Sequence, residues 1–280
     1  MSKKVFIFGS NGMLGNYIKT FLSKQFEVIP LTRKDYDLNN LTYATLSNLL
    51  LNRGINEKDI IINCAGVIPQ QKSKHSITKE MYYKINSLFP NMLGAFSHNK
   101  DVKLIHITTD CVFSGLGDDA GNYTENAEHN ETNDYGKSKS LGEICEGTII
   151  RTSIVGEEET NKYSLLEWVR SNKDKKINGY TNHYWNGVTC LELSKIINNI
   201  IDNNLYWQGV RHIFSPTMVS KYELAAIINY VYELNIIINK LDTELVTNKT
   251  LSTIYDENNI FKIPELKEQI IELSKYNIKS

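Results

Sequence analysis

The chain has little of what staples, stiffens or strongly charges a protein. Its 280 residues include four cysteines and five prolines, and 31 basic side chains stand against 32 acidic ones, a formal net charge of -1. Cys64, Cys111, Cys145 and Cys190 lie far apart with no CxxC pair, which argues against a disulfide-framework fold. No cluster of His, Cys and carboxylates has metal-ligand spacing, so no catalytic metal is expected. Balanced charge leaves no global field to hold nucleic acid or an anionic membrane, and any anionic ligand must be held by local geometry. No apolar run approaches the roughly 18 residues of a membrane span, and the first one, "KVFIFG", reaches glycine within a few residues. The expectation is a reduced, soluble, cytoplasmic protein with neither nucleic acid nor membrane as partner.

What the chain does have is alternation. The apolar runs "KVFIFG", "EVIPLTR", "DIIINCAG", "VKLIHITTD" and "TIIRTSIVG" read as strands, separated by the helical stretches "NYIKTFLSKQF", "LTYATLSNLLLNRG", "MYYKINSLFPNMLGAFSHNK" and "YGKSKSLGEICEG". The strands are apolar throughout rather than at every second residue, as in a parallel sheet covered by helices on both faces. This predicts an α/β, doubly wound fold. After about Gly156 the pattern loosens, and short strands such as "GVRHIFS" mix with helices, which suits a smaller lobe closing over a cleft. The expected division is 1–156 and 157–280, the second part interleaved with the first.

"VFIFGSNGMLG" places Gly9, Gly12 and Gly15 where the first strand meets the first helix. Glycines there allow a tight turn, close approach of backbone to a pyrophosphate and close helix-to-strand packing, and the helix N-terminus offers N–H groups to an anion. Gly9, Ser10, Asn11, Gly12, Met13, Leu14 and Gly15 are therefore the candidate phosphate loop. The second strand ends in "LTRKDYDL", with Thr32, Arg33 and Lys34 where an acid would grip a free ribose 2′-hydroxyl. Arg33 instead favours a 2′-phosphate, hence NADPH, with NADH as the second candidate. "NCAG" closes the third strand, and Asn63, Ala65 and Gly66 leave room for the cofactor's ribose and phosphates.

"NDYGKSKSLGE" holds Tyr135 and Lys139 four positions apart, on one face of a helix. A neighbouring cation favours phenolate and lowers the tyrosine pKa from about 10, which makes Tyr135 a usable acid or base. Thr109, in "HITTD", can hydrogen-bond the same carbonyl oxygen. The ordered set "GSNGMLG", "NCAG", "TTDCVFSG", "YGKSKSLGE" and "RTSIVG" resembles the extended short-chain dehydrogenase/reductases, most closely the dTDP-4-dehydrorhamnose reductase family. The likeness covers about the first 156 residues and continues more loosely through "GVTCLELSKII" and "GVRHIFSPTMVSKYELA". It implies a Rossmann-type domain, a C-terminal lobe for a UDP- or dTDP-linked sugar, and reduction of a 4-keto group by NADPH. Thr109, Tyr135 and Lys139 would form its triad, with Tyr135 and Lys139 also touching the cofactor, and Asn86 falls where related enzymes have a helix asparagine. A homodimer is compatible with this reading.

Simple rhamnose-type reductases carry a tyrosine two residues after the threonine, where this chain has Cys111. The similar GDP-fucose synthases and plant-type UDP-rhamnose epimerase/reductases carry a cysteine there, as the base that removes a proton beside the ketone. A thiolate can do this, because the protons on carbons 3 and 5 are acidified by the 4-ketone, but a thiol needs local positive charge to ionise near neutral pH. Packing is the alternative for Cys111, and the reading for Cys64, Cys145 and Cys190. Inversion also needs an acid on the opposite sugar face, for which Lys162 and His183 are candidates. Trp185, in "GYTNHYWNGVT", suits stacking on a sugar or base, and Arg151 either meets a diphosphate or makes a buried ion pair. A non-catalytic NADP-binding subunit, like the regulatory subunit of methionine adenosyltransferase, and a cofactor-recycling dehydratase are the rival readings. The dehydratase is the weaker, since Asp110 is followed by Cys111 rather than a second carboxylate.

Overall fold

The computed structural model describes residues 3–40, 42–70, 77–159 and 162–278. Its first half runs β1 (Lys4–Phe8), α1 (Met13–Leu22), β2 (Glu27–Leu31), α2 (Tyr43–Asn52), β3 (Ile60–Asn63), α3 (Lys79–Tyr83), α4 (Phe89–Lys100), β4 (Lys103–Thr109), α5 (Asp134–Gly142) and β5 (Thr148–Thr152). The second half has shorter strands: β6 (Ile154–Val155), α6 (Leu165–Ser171), β7 (Lys176–Tyr180), β8 (His183–Trp185), β9 (Val188–Thr189), α7 (Cys190–Asp202), β10 (Gly209–His212) and β11 (Val219–Ser220). It ends with α8 (Lys221–Val231), β12 (Ile237–Leu241), β13 (Thr247–Asn248), α9 (Glu257–Phe261) and α10 (Leu266–Lys275).

Six strands form the main sheet in the order β2–β1–β3–β4–β5–β10, and every pairing is parallel. Every residue of β3 and β5 is buried, which is why those segments read as unbroken apolar runs. β2 lies at the sheet edge, is partly exposed, and carries Pro30, whose missing N–H an edge strand tolerates. Successive side chains of a strand point to opposite faces. Accordingly Val5, Ile7, Ile60, Ile62 and Ile105 pack with residues of α1 and α7, while Phe6, Phe8, Ile61 and Leu104 pack with residues of α2 and α4. The strand order reverses between β2–β1 and β3, leaving a crevice beyond the carboxyl ends of β1 and β3, where doubly wound sheets bind ligands.

Two features depart from the periodicity. The single helix predicted over "MYYKINSLFPNMLGAFSHNK" is split: Lys84–Leu88 adopt π-helical conformation between α3 and α4. β10, from "GVRHIFS", lies beyond the boundary expected at 156, yet it pairs with β5 from Gly209↔Thr148 to His212↔Arg151. A small sheet ordered β11–β8–β13 lies apart from the main one, β8 running antiparallel to β11 and parallel to β13. No helix among the described residues is long and apolar enough to cross a membrane.

Candidate active site

A cavity of ≈ 800 Å³ opens at the crevice, lined by Gly9, Asn11, Gly12 and Met13 from the first turn, by Thr32, Arg33 and Lys34 after β2, and by Ala65 and Gly66 after β3. The three glycines do different things. Gly9 has φ +75, and a Cβ there would lie 2.7 Å from Ala65 N; a Cβ on Gly15 would overlap the Gly9 carbonyl. Those two are demanded by packing. At Gly12 the nearest atom to such a Cβ is Gly9 O at 3.2 Å, and no side chain caps α1 there, so the helix N-terminus faces the cavity bare. Ser10 does not line the cavity: its hydroxyl donates to Leu31 O at 3.2 Å and ties the turn to β2. Leu14 and Gly15 are buried in α1.

Asp35, the acid nearest Arg33, is already engaged. Its carboxylate accepts from Thr32 N (2.9 Å), Thr32 Oγ1 (2.8 Å) and Arg53 Nη2 (2.7 Å), and the Thr32 donors hold it below the usual carboxylate range. Asn63 is buried and acts on its own turn, its Oδ1 accepting from Ala65 N and its amide meeting His106 Nδ1 at 3.1 Å. The room that Gly66 leaves goes to protein: a Cβ there would lie 3.1 Å from Lys139 Nζ and 3.3 Å from Asn86 Oδ1.

The groups expected to transfer protons meet at the end of β4. Asn133 caps α5 by accepting from Gly136 N at 2.9 Å, and a Cβ at Gly136 would lie 2.5 Å from the Cys111 carbonyl, so glycine lets α5 sit directly on the Cys111 turn. This brings the Tyr135 phenol beside Thr109, which favours its ionised form. Thr109 Oγ1 in turn donates to Asp110 Oδ1 (3.1 Å) and accepts from Cys111 N (3.2 Å). The expected depression of the tyrosine pKa does not occur. Burial pushes the Tyr135 phenol up, helped by Cys111 and only partly offset by Thr109. The Tyr135 phenol is therefore protonated in the free protein. Burial also brings the Lys139 ammonium down to about 8, against the pull of Glu143 one helical turn away.

Glu143 belongs to a buried network. It accepts from Thr108 Oγ1 at 2.8 Å, Arg151 Nε at 3.1 Å and Arg151 Nη2 at 2.5 Å. Arg151 also reaches His212 Nε2 (2.7 Å) and His129 Nε2 (2.6 Å), and burial lowers the pKa of both imidazoles, so they accept as neutral rings. Of the two readings for Arg151, the structure gives the ion pair. The network locks β4, α5, β5 and β10 behind the triad.

The thiol of Cys111 is half-buried, and burial together with the Asp110 carboxylate pushes it up to about 12, with Lys249 opposing. In the free protein it is a thiol, not a ready thiolate. Cys145 and Cys190 are buried, whereas Cys64 also lines the cavity. Asn86, expected at the substrate, is buried within the π-helical turn. It accepts from Val67 N (2.9 Å) and donates to Val67 O (3.0 Å) and Ser138 Oγ (3.1 Å), which joins α5 to the loop after β3. Lys162 lines a second cavity, of ≈ 590 Å³, with Trp168 and Arg170, to which none of Thr109, Tyr135 and Lys139 contributes. His183 meets Thr243 Oγ1 at 2.9 Å and lies against Tyr180. Trp185 is buried, its Nε1 donating to Ser153 Oγ at 2.7 Å, so it forms wall rather than an open stacking face. The sequence reading missed Glu143, His129, His212, Lys221 and Lys249. Their roles come from tertiary neighbours, and no local spacing marks them.

Comparison with known proteins agrees with this fold. The dTDP-4-dehydrorhamnose reductase of Mycolicibacterium smegmatis is 28% identical over 144 residues, 51% of this chain and 41% of that protein. The chain thus spans about two fifths of the length of that relative. The dTDP-4-keto-6-deoxy-D-glucose reductase of Streptomyces niveus is 25% identical over 237 residues, 80% of this chain and 77% of its own. Among solved structures, the Bacillus anthracis dTDP-4-dehydrorhamnose reductase in complex with NADP superposes with a TM-score of 0.80 at 22% identity, covering 97% of this chain and 98% of that one. At that identity the superposition speaks for the Rossmann-like fold. Residues 3–247 match the family described as the RmlD substrate binding domain, and the chain belongs to that family.

Proposed function

We propose that this chain is an NADPH-dependent reductase of the 4-keto group of a nucleotide-linked 4-keto-6-deoxyhexose, acting after inversion at carbon 3, carbon 5 or both with Cys111 as base. One observation carries the reading: Thr109, Tyr135 and Cys111 converge at the end of β4, with Lys139 beside the glycine-lined cavity. The cavity fits a dinucleotide, with a bare helix N-terminus for the pyrophosphate and Arg33 and Lys34 for a 2′-phosphate. Bound NADPH would supply the hydride. The curated relatives named as 4-keto sugar reductases and the NADP in the Bacillus anthracis structure support the NADPH-dependent reductase part of this reading.

Tyr135 delivers its proton to the carbonyl oxygen as the alkoxide develops, a transfer that its raised pKa makes efficient only when the acceptor is strongly basic. Thr109 orients the same oxygen. Lys139, charged below about pH 8, provides the local cation. Before reduction, Cys111 removes a proton from a carbon flanking the ketone. Its thiol at about 12 makes this step climb with pH, the thiolate fraction growing roughly tenfold per pH unit below that value. Incubation with NADPH and a panel of UDP-, dTDP- and GDP-linked 4-keto-6-deoxy sugars tests the reading. Substrate-dependent NADPH oxidation with at least one of them is expected; saturable NADPH binding without oxidation of any would instead assign a binding subunit.

A further inference from the structure

Inversion leaves one role open, the acid on the sugar face opposite Cys111. Neither sequence candidate is placed for it, since Lys162 lines a different cavity and His183 is engaged with Thr243. The fold brings another cation to the end of β4. Thr109 pairs with Thr152 at the end of β5, and the next residue, Ser153, accepts the indole N–H of Trp185 at 2.7 Å. Over that indole, 5.1 Å from the ring centroid, lies Lys221 Nζ. Lys221 opens α8 directly after Ser220, which pairs with Tyr184 across the small sheet.

The opposite edge of that sheet supplies a second cation. Asn248 N donates to Gly115 O at 2.8 Å, and this tether brings the next residue, Lys249, near enough to Cys111 for its charge to act on the thiol. The two cations differ in their partners. Lys249 is answered by Glu131 at 3.3 Å, whereas Lys221 makes no ion pair within 4 Å among the described residues. The nearest carboxylate in sequence, Glu223, is occupied in capping Ser220, at 2.7 Å from its N and 2.9 Å from its Oγ. Lys221 is half-buried against an indole, near enough to Asp110 and Cys111 to be affected by their charges, with no carboxylate within 4 Å among the described residues. A cation so placed is available to a ligand.

We propose that Lys221 is the proton donor of the inversion, acting on the sugar face opposite Cys111. The inference rests on the reading of Cys111 as base. The Cys111 thiolate takes the proton from the carbon beside the ketone, and the C–H electron pair moves into an enolate. Lys221 Nζ then gives a proton to the other face of that carbon, the N–H bond breaking as the new C–H bond forms and the ketone re-forms. The resulting thiol and neutral amine return to their starting state by exchanging one proton through solvent, and nothing is oxidised or reduced. Burial lowers the ammonium's pKa from the ordinary lysine value, which makes its proton easier to give.

The full chain, with NADP+ in place of NADPH so that no reduction follows, is incubated with dTDP-4-keto-6-deoxyglucose in deuterated water, and carbons 3 and 5 are followed by proton NMR. The unmodified protein is expected to take up deuterium and invert the sugar, and Cys111→Ser to do neither. Lys221→Met is expected to keep deuterium uptake while inversion falls about 100-fold, the scale of a lost general acid. Lys221→Arg keeps the charge but is a poor donor, its pKa lying above 12, so it should restore substrate affinity without restoring inversion. Lys221→Gln serves if the Met variant fails to bind NADP+. Inversion at the parental rate in Lys221→Met, full rescue by Arg, or loss of exchange together with inversion would each overturn the donor role and leave Cys111 as base. An unmodified protein that takes up no deuterium would overturn the Cys111 reading itself, and this one with it.

Discussion

The two walls of the cleft are built by different means. The wall proposed to hold the nucleotide is shaped at its phosphate turn by backbone, Gly9 and Gly12 with the Cys64–Gly66 turn, and each piece is local in sequence. The other wall, where the proposal puts the sugar, is side chain: Thr109–Cys111, Tyr135 and Lys139, backed by the buried Glu143–Arg151 ion pair and neighboured by Lys221 and Lys249, residues up to 140 positions apart that meet only after β10 and the small sheet are in place. A backbone site tolerates change outside its few glycines. A side-chain site depends on a network, and its titrations are coupled to one another.

That contrast sets the expected sizes of substitution effects. Tyr135→Phe removes the only proton donor assigned to the carbonyl oxygen, and NADPH oxidation should fall roughly 10²- to 10⁴-fold while NADPH affinity, a property of the other wall, changes little; steady-state kinetics and a binding titration separate the two. On the nucleotide wall, Arg33→Ser should raise the KM for NADPH about 10- to 30-fold and leave that for NADH nearly unchanged, the loss of one charge-assisted phosphate contact. Equal effects on both cofactors would remove Arg33 from the 2′-phosphate.

Gly12→Ala and Gly9→Ala sharpen the claim that the glycines are not equivalent. Alanine at Gly12 has room, so thermal unfolding should stay within a few degrees of the parent while NADPH binding weakens. Alanine at Gly9 must adopt a left-handed backbone 2.7 Å from Ala65 N, and should cost at least about 1–2 kcal/mol of stability. The smallest effect is a displaced pH limb. Lys139 is charged below about pH 8 and neutral above it, so reduction should decline as pH rises through that value. Glu143 favours the charged form; removing it should move the decline to lower pH by about one unit. The paired replacement Glu143→Gln with Arg151→Met avoids leaving Arg151 buried without its anion. A decline that stays in place would mean that Glu143 only holds the fold.

How much of this was legible in the sequence follows the same division. Strands β1, β3, β4 and β5 and the glycine turn could be read because both-face burial writes continuous apolar runs and a phosphate turn writes its glycines locally. Thr109, Tyr135 and Lys139 could be placed because two of them share a helix face and the third ends the neighbouring strand. The π-helical turn at Lys84–Leu88 could not, since its residues satisfy an ordinary helical pattern. The direction of the Tyr135 shift was misjudged for a physical reason: spacing shows a nearby cation but not the burial that outweighs it. Asn86, Lys162 and His183 were candidates by type and segment, and the tertiary structure gives each another setting.

Solvent-deuterium incorporation during complete turnover bears most directly on the claim that inversion precedes reduction. With NADPH and dTDP-4-keto-6-deoxyglucose in deuterated water, the product should carry deuterium at carbon 3, carbon 5 or both with inverted configuration, and Cys111→Ser should abolish incorporation while still reducing a pre-inverted ketone. A product of unchanged configuration without deuterium, formed at full rate by both proteins, would contradict it and leave a simple 4-keto reductase.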